Sequence, residues 1–69
     1  MNEINMKLEE YKSLLNFNHE FYGKDLKNNY KLINKAVKVF IKKGISTEEI
    51  LEFLEDTIRI HKNSYGLLL

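Results

Sequence analysis

Sixty-nine residues without a cysteine or a proline exclude a disulfide-stapled fold and a thiolate metal site, and leave room for one domain at most. Hydrophobic residues at 43% and charged residues at 30% are a globular balance, and a formal net charge of +1 gives the molecule no general pull toward nucleic acid or an acidic surface. A chain this short buries roughly 60% of its unfolded surface, so regular helix packing or association with itself or a partner must support it.

No apolar run approaches the roughly 18 residues needed to span a bilayer. The start, Met1-Asn2-Glu3-Ile4, has neither the basic opening nor the apolar core of a signal peptide, so a cytoplasmic location is expected. The first predicted helix covers about 3–21. Ile4, Leu8, Tyr11, Leu15 and Tyr22 fall on one stripe, which Leu14, Phe17 and Phe21 widen to one side. Glu9, Lys12, Ser13, Asn16 and Glu20 take the opposite face, and Gly23 reads as the stop.

The second helix is predicted over about 25–43, with Asp25 as N-cap and Gly44 at the left-handed position beyond its end. Leu26, Tyr30, Ile33, Val37 and Phe40 repeat at helical spacing, and Leu32, Ala36 and Val39 form a second apolar strip. With Ile41 these make more than half the circumference apolar, wider than a surface helix needs. This helix is therefore expected to be central and covered on two sides.

The third helix, about 46–62, has the plainest start. Ser46 and Glu49 form a capping box, with Ile45 and Ile50 placed as its hydrophobic staple. Ile50, Phe53, Leu54, Thr57, Ile58 and His61 should face inward. Asn63 and Ser64 open a tail that closes on Leu67, Leu68 and Leu69. The expected fold is all-α, a three-helix bundle or helical hairpin array with a short apolar C-terminal tail.

Chemistry finds little footing. No serine sits in a nucleophile-elbow motif, the isolated glycines cannot cradle phosphate, and no paired histidines have metal-ligand spacing. The reading is a protein without catalytic residues, cofactor, metal or small-molecule substrate. His61 fits a core-edge imidazole with a hydrogen-bonded nitrogen, or else a pH-sensitive contact at an interface. His19 fits a solvated flank.

Charge is unevenly laid out. Lys27, Lys31, Lys35, Lys38 and Lys42 form one stripe on helix two, whereas Glu48, Glu49, Glu52, Glu55 and Asp56 crowd the outer face of helix three. Such faces keep a small protein soluble, dock a partner of complementary charge, or, for the lysines, bind phosphate. A helix-turn-helix reading fails on charge, because five carboxylates would enter the groove with the third helix.

The aromatic residues Tyr11, Phe17, Phe21, Tyr22 and Tyr30 serve as core fillers or as interface anchors, and the leucines at 67–69 either fold back or enter a partner's groove. Apolar surface beyond what three short helices cover points to a homo-oligomer or a larger protein partner.

The stretch from Lys43 to Ile50 is similar to the turn of small bacterial antirepressor hairpins of the Sin type, over less than a third of the chain. Such hairpins serve as dimerisation modules, and the capping box alone produces the likeness. The function expected is a small regulator or inhibitor that binds a larger protein. The bias toward Asn, Lys and Ile associates it with phages or mobile elements and with a host or defence enzyme as target. The alternatives are an immunity protein or antitoxin, or a nucleic-acid-binding protein using the lysine stripe.

Overall fold

The computed structural model describes residues 2–22 and 27–64, with side chains at 3–17 and 28–63. Three helices follow in order: α1 (Asn2–Tyr22), α2 (Lys27–Lys42) and α3 (Thr47–Ser64). The expected stop at Gly23, the cap at Asp25 and the tail with Leu67, Leu68 and Leu69 lie outside the described residues, as do the side chains of His19, Phe21, Tyr22 and Lys27.

The α2–α3 corner forms as its residues dictate. Gly44 adopts φ +81°, the left-handed conformation that glycine reaches without a Cβ penalty. The amide of Ile45 donates to the Phe40 carbonyl at 3.0 Å and that of Gly44 to the Ile41 carbonyl at 3.1 Å. This is a Schellman closure, which satisfies two carbonyls left open at the end of α2. Two residues later Ser46 caps α3, its Oγ accepting from the Glu49 amide at 3.2 Å. The Ser46 hydroxyl donates in turn to Glu49 Oε1 at 3.0 Å, so the glutamate holds the capping side chain rather than the capping amide. At the other end α3 runs to Ser64, two residues past the expected limit. Asn63 and Ser64 are only mildly unfavourable in a helix, so they do not end it.

The core forms where the predicted rows meet. Ile4 and Leu8 of α1, Val37 of α2, and Ile50 and Leu54 of α3 make one buried cluster. Tyr11, Leu14, Leu15 and Ile58 make a second. Tyr30 and Ile33 pack against both, joining them along α2. Phe40 and Phe53 meet edge to face at 5.2 Å and 89°, a favourable arrangement for ring quadrupoles that ties α2 to α3. Thr57 is half-buried with its hydroxyl satisfied, donating to the Phe53 carbonyl at 2.8 Å.

Helix α1, not α2, is the central element. It packs along α3 and, less extensively, along α2. The breadth of the apolar arc on α2 suggested otherwise, but among the described residues α2 has only one seam, and no fourth element there covers its second strip. Leu32 therefore stays 64% exposed and Val39 42% exposed, with Ile41 also outside.

Candidate interaction surfaces

Between α1 and α3 lies an open groove of about 680 Å³. From α1 it takes Glu3, Met6, Lys7 and Glu10, which recur at helical spacing on the stripe beside the buried row. From α3 it takes Glu48, Leu51, Glu52 and Glu55. Five carboxylates and one ammonium thus line it. That ammonium is engaged: Lys7 Nζ lies 3.2 Å from Glu55 and 3.5 Å from Glu10. The hydrogen bond to Glu55 and the charges of both glutamates raise the Lys7 pKa above its usual 10.5, against the opposing pull of partial burial. Met6, 70% exposed, and half-buried Leu51 give the groove its apolar part. The surface as a whole is acidic, with apolar side chains at half-buried Leu51 and exposed Met6.

A second surface crosses α2 and α3. On α2, turning outward from Phe40, come Ala36, Leu32 and Val39, and then the lysine row. Lys31, Lys35, Lys38 and Lys42 are all exposed there, and among the described residues no ion pair reaches them. On α3, turning outward from Phe53, come Ile60, 59% exposed, and then Glu49 and Asp56. Asp56 Oδ1 accepts from Arg59 at 3.0 Å, a solvated pair that contributes little to stability.

The aromatic candidates divide. Tyr11 is 4% exposed and belongs to the core, where it meets His61 edge to face at 6.1 Å. Tyr30 is half-buried, and Lys12 Nζ stands 5.7 Å from its ring centroid, a cation–π contact linking α1 and α2. Phe17 is partly exposed and borders a shallow depression with Leu14 and Ile58. Of the charged candidates, Glu48, Glu52 and Glu55 gather in the groove while Asp56 lies on the other flank. The groove's four α1 residues carry no signal of their own in the sequence. Their common stripe was visible, but its position against the acidic face of α3 is a tertiary fact.

His61 is buried, and burial lowers its pKa below the usual 6.5. Among the described residues no group of three or more His, Cys, Asp or Glu is placed to hold a metal ion. No helix searched among them is long and apolar enough to cross a membrane. Comparison with protein-family models, with curated proteins and with solved structures finds no significant match.

Proposed function

We propose that this chain is a small non-enzymatic regulator that binds a larger protein, and that its α1/α3 groove receives a basic, apolar-bearing segment of that partner. One observation supports the reading above the others. Five glutamates from two helices share the groove with exposed Met6 and half-buried Leu51, and the single cation lining it is already tied to two of the five. Net negative charge speeds the approach of a basic segment and sets its orientation. Burial of apolar side chains against Met6, whose flexible thioether adapts to varied shapes, supplies the holding contact. Stoichiometric masking of the partner is the matching mode of regulation, whether as inhibitor, immunity protein or antitoxin. The lysine row of α2 supports a nucleic-acid partner less well, because it borders Leu32 and Val39, to which phosphate offers nothing.

The test is affinity capture from a lysate of the cells that encode the chain, with the triple variant Glu48→Gln, Glu52→Gln, Glu55→Gln beside the parent. One larger protein should be retained by the parent, released progressively by salt, and not retained by the variant. Retention equal in both, or of nucleic acid alone, would refute the groove as the site.

A further inference from the structure

We infer that the surface crossing α2 and α3 is covered by a second copy of this chain, in a two-fold dimer whose α2 helices run parallel. The inference is independent of the groove, which opens on the α1 side of α3.

The surface has an apolar centre and two rims of opposite charge. Leu32, Ala36 and Val39 lie on one side of the Phe40–Phe53 contact and Ile60 on the other. Beyond the first group stand lysines. Beyond Ile60 stand Glu49 and Asp56. A surface of this kind is complementary to itself under one orientation only. A two-fold axis running along the helices turns the basic rim of each copy onto the acidic rim of the other, twice over. An axis running across them sets lysine against lysine and carboxylate against carboxylate, and is disfavoured. Closed two-fold dimers are also the commonest soluble assembly.

The levels along the helices match as well. The Phe40–Phe53 contact places residue 40 of α2 beside residue 53 of α3. With α2 and α3 taken as antiparallel on either side of it, Lys35 stands near the level of Ile58 and Lys42 near that of Leu51. An axis along the helices preserves level, so Lys35 of one copy comes within about one helical step or two of Asp56 of the second copy, and Lys42 likewise of Glu49. The seven-residue spacing of Lys35 and Lys42 equals that of Glu49 and Asp56, so both pairs form together. Leu32 falls within one residue of the level of Ile60, which closes the apolar centre. The footprint is about 24 Å long, the length of α2, and two helices wide. This is at the small end of stable interfaces, so the dimer is reversible.

The experiment is light scattering of the purified chain from micromolar to millimolar concentration, with Lys35→Glu and Asp56→Lys measured separately and mixed in equal amounts. Both positions are exposed, and circular dichroism verifies that each variant keeps its helices. The parent should pass reversibly from monomer to dimer. Each variant alone places like charges opposite each other at two points, and its dissociation constant should rise at least tenfold. Their mixture restores opposite charges at both points and should recover dimer. A parent that stays monomeric throughout the range would overturn the proposal, and so would variants that dimerise like the parent. A mixture that stays monomeric while the parent dimerises would overturn the parallel arrangement.

Discussion

Leu54→Ala truncates the most fully buried side chain among the described residues. Leu54 is 0% exposed and shares its cluster with Ile4 and Leu8 of α1, Val37 of α2 and Ile50 of α3, so its side chain lies where all three helices meet. Loss of its terminal carbons removes the transfer contribution and leaves a cavity that neighbours from three directions cannot all close. Buried leucines in that situation cost about 3–5 kcal/mol. A chain of this length has a total stability of about 3–10 kcal/mol, so the variant should be close to half unfolded or beyond at 25 °C if the parent lies low in that range. The assay is urea denaturation followed by helical circular dichroism, at one low protein concentration. Met6→Ala provides the contrast: that side chain is exposed, and its truncation should alter stability by no more than about 0.5 kcal/mol. A cost below about 1 kcal/mol for Leu54→Ala, or equal costs for the two, would refute the assignment of the core.

Other outcomes follow from the same contacts. Gly44→Ala should cost about 1–2 kcal/mol by thermal or urea unfolding. The added Cβ meets no atom within 4 Å, so the whole penalty lies in the left-handed backbone. Ser46→Ala should cost about 1 kcal/mol, by loss of the acceptor for the Glu49 amide, and Ser46→Gly markedly less. His61 should make stability fall as pH is lowered. Its folded-state pKa lies below the unfolded value of 6.5, so the unfolded chain takes up a proton first. Stability from the neutral imidazole is therefore complete well above pH 6.5 and lost between that pH and the folded-state pKa. The urea midpoint at pH 7.5 minus that at pH 5.5 should shrink in His61→Phe, and an unchanged difference would contradict the burial of this ring.

Local signals were legible in the sequence, and contacts between distant segments were much less so. The N-cap at Ser46 and the glycine at 44 depend only on near neighbours, and both form as their residues imply, although Glu49 takes the Ser46 hydroxyl instead of its amide. The rows of Ile4, Leu8 and Leu15 and of Ile50, Leu54 and Ile58 are buried because helical period fixes which side chains share a face. Period does not say which helix lies in the middle. The arc on α2 that suggested a central position is instead the arc that leaves Leu32 and Val39 outside. Tyr11 illustrates the same limit, since a tyrosine on an apolar stripe serves as core or as anchor, and only the proximity of His61 and Ile58 decides for the core. The groove was half visible. Glu48, Glu52 and Glu55 form an acidic row within α3, but their partners Glu3 and Glu10 stand roughly forty residues earlier in the chain.

The role of the acidic groove is tested most directly by placing a photoreactive phenylalanine analogue at position 6, irradiating the lysate of the encoding cells, and identifying the products by mass. One crosslinked product should join this chain to a larger protein, attached within a lysine- or arginine-rich segment and absent when Glu48, Glu52 and Glu55 are replaced by glutamine. A product made only of two copies of this chain, or an attachment unaffected by those replacements, would contradict it.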